Sequence, residues 1–143
     1  MASLSPLMEE ILSHGGSVEL TVTGNSMFPM LRHRVSRVRL APPRPLLVGD
    51  LPLYRRDNGK YVLHRIVAVE NGLYTCCGDN QWQLETGLRQ DQILAVMTDF
   101  QRKTRWVSAQ NAAYTAYWRF WLAILPLRKF TMRAIGWLKR HIL

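Results

Sequence analysis

A mainly β domain, with one short helix before it and a helical stretch after it, is the fold class this sequence predicts, and three observations carry that prediction. Short apolar runs, several of them alternating, are separated by turn residues through 17–107. Asp57-Asn58-Gly59 and Asn71-Gly72 supply the left-handed residues that tight antiparallel hairpins need. On either side of that region the apolar period changes to three or four residues, the spacing of one helix face.

Taken in order, Ser5-Pro6 caps a helix whose apolar face is Leu7, Met8, Ile11 and Leu12, and Gly15-Gly16 ends it. It has no basic leader and falls well short of the roughly 18 apolar residues of a spanning helix, so neither an export signal nor an N-terminal anchor is expected. Strands are predicted at 18–23, 35–40, 51–56, 61–69, 73–76, 93–100 and 105–107. Pro42-Pro43-Arg44-Pro45 cannot donate ladder hydrogen bonds and marks a loop or a sheet edge. Beyond Ser108, Ala112, Ala113, Ala116, Tyr117 and Phe120 form one stripe. After Pro126 come Leu127, Phe130, Ala134, Leu138 and Ile142, opposite Arg128, Lys129, Arg133 and Arg140. The expected division is an N-terminal helix at 1–16, a β domain at 17–107 and a basic aromatic helical tail at 108–143.

A chain of 143 residues, 48% hydrophobic and 20% charged, affords one compact core and one active site at most. Its two cysteines, Cys76 and Cys77, are adjacent. They make neither a disulfide framework nor the separated ligand pairs of a zinc site, so no metal and no cofactor are expected. The net charge of +9 is distributed unevenly. Residues 1–100 hold ten basic and ten acidic residues, whereas 101–143 hold nine basic residues and no acid. Trp106, Trp118, Trp121 and Trp137 lie in the same segment, which suits anionic lipid or nucleic acid. An amphipathic helix packed on the domain with its basic face in water is the plainer reading of the tail. A single span through 106–127 is a further alternative, weakened by Ser108, Gln110, Asn111 and Thr115.

Three segments carry side chains suited to chemistry. Gly24-Asn25-Ser26-Met27-Phe28-Pro29 follows a strand and can hold a serine hydroxyl and its N–H on a rigid loop. His64 interrupts the apolar run 61–67, and an imidazole is the side chain best matched to deprotonating a serine near neutral pH. Gly78-Asp79-Asn80, followed by Glu85, offers an acid to orient that imidazole. Each alone is a common turn or core feature.

Together, in this order and with Gly49-Asp50 opening the strand that carries Tyr54, they resemble the S24/S26 peptidase superfamily, in particular the type I signal peptidases, over about 21–97. Where bacterial-type enzymes and self-cleaving repressors place a lysine, in the signal peptidases just before an arginine, this chain has His64 before Arg65. That resembles the Ser/His branch of endoplasmic-reticulum, archaeal and spore-former enzymes. The resemblance implies Ser26 as nucleophile, His64 as general base and Asp79 as its support, with Glu85 near the place of a second acid. Arg65 and Asn80 would assist, and Gly24, Met27 and Pro29 would shape the loop. Lys60 is read as solvated hairpin charge. The implied fold is one of coiled antiparallel sheets, and the implied activity is cleavage of a leader or signal segment bound as an extended strand.

The expected partners are therefore a peptide or preprotein substrate and an anionic membrane surface reached through 108–143, with the cytoplasmic face favoured because basic segments stay there. A catalytically silent peptide-binding relative is the alternative of another class. A DNA-binding regulator of the self-cleaving type is disfavoured, since one short helix cannot make a helix-turn-helix.

Overall fold

The computed structural model describes residues 4–142. Helix α1, Pro6–Ser13, is capped by the Ser5 hydroxyl, which accepts from the Met8 N–H at 3.2 Å. The next element is already a strand, so among the described residues α1 has no adjoining helix with which to build a helix-turn-helix.

Among the described residues nine strands make two antiparallel sheets. The larger contains β1 (Val18–Thr21), β2 (Arg37–Ala41), β3 (Pro52–Arg55), β4 (Tyr61–Leu63), β8 (Ile93–Arg102) and β9 (Arg105–Ser108), in the order β1-β2-β8-β3-β4 with β9 also paired to β8. Register shifts at Arg39/Leu40 and Leu53/Tyr54 bend it, and it curls into a half-barrel. The smaller sheet is β5 (Arg65–Glu70), β6 (Leu73–Cys77) and β7 (Glu85–Leu88). Asn71 and Gly72, both at positive φ, turn β5 into β6 as the sequence predicts.

The run expected as one strand over 61–69 is two. Leu63 pairs with Leu53 in the large sheet, while Arg65 pairs with Cys77 in the small one. His64 is the residue between them, where the chain changes partners. Gly49 N–H donates to Ile66 C=O and Ile66 N–H to Asp50 C=O, both at 2.8 Å, and these bonds draw β5 away from β4. Strand β7 was not expected, because Glu-Thr-Gly-Leu has no alternation. It forms through pairing with β6, Tyr74 opposite Leu88 and Cys76 opposite Glu85.

One core, including Leu20, Leu31, Leu40, Leu53, Met97 and Phe100, is built mainly from strands of the large sheet. A second, including Tyr54, Ile66, Tyr74, Cys76 and Val96, lies between the two sheets. Helices α2 (Ala112–Ala123) and α3 (Leu125–His141) follow, and Tyr114 of α2 belongs to the first core. Tyr114 thus ties α2 to the β domain. Residues 106–127 are divided among β9, α2 and the first turn of α3, and no helix among the described residues is long and apolar enough to cross a membrane.

Candidate functional site

The loop after β1 is held from below by its methionines. Met27 and Met30 are buried in the first core, and Leu31 N–H closes a turn on the Met27 C=O at 3.0 Å. Gly24, at φ +89°, donates its N–H to His33 Nδ1 at 2.6 Å. Ser26 sits half-buried at the top. Its hydroxyl and its N–H make no hydrogen bond among the described residues, and its C=O accepts from the Asn80 N–H at 2.8 Å. Asn80 Nδ2 also donates to Asn25 C=O at 3.1 Å, and the Asp79 N–H points at Met27 Sδ at 3.3 Å. The Gly24–Pro29 loop and the Gly78–Asn80 turn are therefore one hydrogen-bonded unit. Only glycine fits at position 78, since a Cβ there would lie 2.6 Å from the Ser26 carbonyl oxygen. Beside the loop a cleft of about 510 Å³ is lined by Pro29, Met30, Arg32, Arg102, Tyr114 and Tyr117.

Asp79 is fully buried, and its carboxylate faces Arg65. Arg65 Nε donates to Oδ1 and Nη2 to Oδ2, both at 2.9 Å, and Tyr117 donates its hydroxyl to Oδ2 at 2.9 Å. The remaining guanidinium donors reach Gly49 C=O at 3.1 Å, the Tyr114 hydroxyl at 2.8 Å and Met30 Sδ at 3.5 Å. Burial works against the Arg65 charge, but the Asp79 carboxylate outweighs it and raises the guanidinium pKa. Here the geometry corrects the expected triad. Asp79 makes no hydrogen bond to His64; it neutralises a buried Arg65, which without it would be an unpaired charge in the core.

The hydrogen-bonded neighbour of His64 is instead Tyr54, with Glu85 behind it. The Tyr54 hydroxyl donates to Glu85 Oε1 at 3.0 Å and lies 3.1 Å from Cys76 Sγ and 3.5 Å from His64 Nδ1. A phenol has one proton, and a carboxylate can only accept it. The phenolic oxygen can then accept from Cys76 S–H and from a His64 Nδ1–H, the tautomer that leaves the lone pair on Nε2. Glu85 is held in turn by Arg56, whose Nη2 donates at 2.7 Å. Burial raises the Glu85 pKa, but the Arg56 and Tyr54 hydrogen bonds overcome this and hold it below the usual carboxylate range. For His64, only 6% exposed, burial dominates and pushes the imidazole down to about 4, with the Glu85 charge opposing. His64 is a neutral base at pH 7.

Donor atoms of His64, Cys76 and Glu85 lie within 4.8 Å of one another, the grouping in which a metal would be sought. The Tyr54 oxygen lies among them and contacts all three. Burial pushes the Cys76 thiol up to about 12, favouring the protonated form over a ligating thiolate. Cys77 is buried and points elsewhere, its Sγ 3.4 Å from Gly78 C=O. Lys60 is exposed on the β3–β4 hairpin, as expected of solvated charge.

Three residues of the C-terminal helices complete the site. Tyr117 bonds Asp79, Trp121 Nε1 donates to Asp79 C=O at 2.7 Å, and Arg128 Nη1 donates to the carbonyls of Gly78 and Gln81 at 3.4 and 3.2 Å. In the sequence Tyr117 falls in an apolar stripe and Arg128 on a face expected to be solvated, and Trp121 carries no local mark of a site residue. The usable signal was the i, i+4 spacing of Tyr117 and Trp121, which puts both ring heads on one side of α2.

No protein-family model, curated protein or solved structure matches this chain. What the site can do is set by its own chemistry. The Ser26 loop, the Asp79 turn and Arg65 form one cluster, His64 adjoins Arg65 in the chain, and Glu85 reaches His64 through Tyr54. Among the described residues no hydrogen bond joins Ser26 to His64.

Proposed function

We propose that the protein is a serine endopeptidase of the signal-peptidase-like class, hydrolysing a peptide bond in a leader or signal segment through an acyl-enzyme at the cytoplasmic face of a membrane. The observation that supports this reading is that one domain carries both an unencumbered Ser26 hydroxyl and N–H, on a loop pinned to the Gly78–Asn80 turn, and a buried His64 imidazole held neutral by its burial. In the reaction the Ser26 hydroxyl attacks the scissile carbonyl while His64 takes its proton, and the Ser26 N–H holds the oxyanion. His64 returns the proton to the leaving amine, and water then releases the acyl group. Tyr54 and Glu85 keep the imidazole in the required tautomer. Substrate binds as an added strand along an edge of the large sheet, whose two opposite edges are β1, which leads to Ser26, and β4, which ends just before His64.

The test is cleavage of a peptide library with small residues before the scissile bond, read by mass spectrometry. Ser26→Ala and His64→Gln each abolish the products while leaving the circular dichroism spectrum intact. Products that persist in Ser26→Ala overturn the assignment. A second reading, peptide binding without hydrolysis, is favoured by the missing Ser26–His64 hydrogen bond; it predicts that Ser26→Ala and the parent chain bind the same peptides and that neither cleaves them.

A further inference from the structure

Helix α3 meets the domain with the wrong face for a simple amphipathic helix. Arg128, only 2% exposed, points inward, and its guanidinium caps the carbonyls of Gly78, Gln81 and Trp121. Lys129 and Arg133 lie over the Trp82 ring at 5.0 and 5.8 Å. The apolar stripe consequently faces away from the protein. Leu127, Phe130, Leu138 and Ile142 are 45–68% exposed, flanked by exposed Ile135 and Trp137. At about 100° per residue, Leu127, Phe130, Ala134, Leu138 and Ile142 fall within an arc of roughly 120°. Nothing in the chain covers it among the described residues.

The charge pattern says what does. A second copy would bring together two segments that each carry nine basic and no acidic residues over 101–143. An anionic bilayer matches both the apolar stripe and that charge. At the edge of the stripe, Arg133 and Arg140 open with Trp82 and Trp137 into a cleft of about 720 Å³, two guanidiniums beside two indoles. Arginine suits phosphate and tryptophan suits the interfacial layer.

We infer that α3 lies in the interface of an anionic membrane with its Leu127–Phe130–Leu138–Ile142 stripe toward the acyl chains, and that Arg133 and Arg140 take lipid phosphates. This rests on the membrane part of the reading above and adds how the membrane is met. Because Trp121 and Arg128 bond the Gly78–Gln81 turn directly, the inference places the Ser26 loop within about one helix diameter, ~10 Å, of the lipid surface. A substrate segment leaving the bilayer would meet the site at once.

Co-sedimentation of the full chain with phosphatidylcholine vesicles, with and without one-quarter phosphatidylglycerol, tests it. Binding is expected to anionic vesicles and to weaken with salt. Phe130→Glu with Leu138→Glu lowers vesicle affinity by more than about tenfold, from the loss of two buried apolar side chains. Arg133→Gln with Arg140→Gln weakens binding to anionic vesicles alone. All four residues are exposed, so melting curves are expected to stay unchanged. The inference fails if the parent chain does not bind, if the Phe130/Leu138 variant binds equally, or if light scattering shows a dimer that this variant dissociates. Ser26→Ala is expected to bind vesicles normally, so loss of cleavage and loss of membrane binding are separately readable.

Discussion

Both carboxylate oxygens of Asp79 are held by Arg65, Nε to Oδ1 and Nη2 to Oδ2 at 2.9 Å each, and neither side chain is exposed. A carboxylate so committed is a structural counter-ion, and the Ser26 loop depends on it through the Asp79 N–H and the adjacent Asn80 N–H. Asp79→Asn leaves a buried guanidinium without a counter-charge. The expected loss is about 3–5 kcal/mol of stability, read from urea unfolding. An acid that served only to orient His64 would instead lower cleavage and leave the unfolding midpoint nearly unchanged.

Gly78→Ala tests the contact between the two loops. The added methyl group would meet the Ser26 carbonyl oxygen at 2.6 Å and the Gln81 side-chain oxygen at 2.9 Å. Gln81 is exposed and can swing aside, but the Ser26 backbone is pinned by Asn80 and by buried Met27. The expected cost is about 1–3 kcal/mol, with cleavage lost more steeply than stability because Ser26 itself is displaced. Equal melting and equal cleavage in the variant would show that the two loops are not coupled as drawn.

How far the sequence revealed this arrangement depends on the range of each interaction. Strands β1–β3, β6, β8 and β9 were legible because alternation and Asn-Gly turns are local, whereas β4 and β5 read as one run because their division at His64 is set by long-range pairing. Strand β7 was not legible, since Glu85-Thr86-Gly87-Leu88 is extended only by its partner β6. Ser26, His64, Arg65 and Asp79 could be picked out as residues, but not who pairs with whom. Arg65 lies next to His64 in the chain while its side chain goes to the opposite neighbour, so the acid expected at His64 is taken by Arg65. Helix α3 shows the same limit. Its periodicity identifies the apolar stripe correctly, yet which face docks is decided by three carbonyl acceptors for Arg128 and by the Trp82 ring, neither of which has a periodic signature.

A chain ending at Val107 measures whether the C-terminal helices are an appendage. The cut removes Tyr114 from the first core, the Tyr117 hydroxyl from Asp79 and Trp121 from the Asp79 carbonyl, and it opens Arg65 and Asp79 to water. Loss of a buried aromatic costs about 3–5 kcal/mol and a hydrogen bond to a buried carboxylate about 1.5–3 kcal/mol. Together they rival the whole stability of a small domain, about 5–15 kcal/mol. The shortened chain is expected to be largely unfolded by near-ultraviolet circular dichroism and hydrogen exchange. A native-like spectrum would make 108–143 a dispensable tail.

The most direct test of the base is the pH dependence of stability. Burial pushes the His64 imidazole from its ordinary value of 6.5 down to about 4, so between those values the unfolded chain binds a proton that the folded chain refuses. Stability therefore rises with pH across this window. The contribution is complete above about pH 6.5 and is lost as pH falls toward 4, amounting to ~3 kcal/mol at most. His64→Gln has no such proton to bind, so the difference in unfolding free energy between parent and variant is expected to shift by that amount between pH 7 and pH 4. Cleavage follows the same group, with its acid limb near pH 4 in place of 6.5, because the reactive form is the neutral imidazole. A difference between parent and His64→Gln that stays flat from pH 4 to 7 would mean that His64 is solvated and charges normally, and the buried base would have to be abandoned.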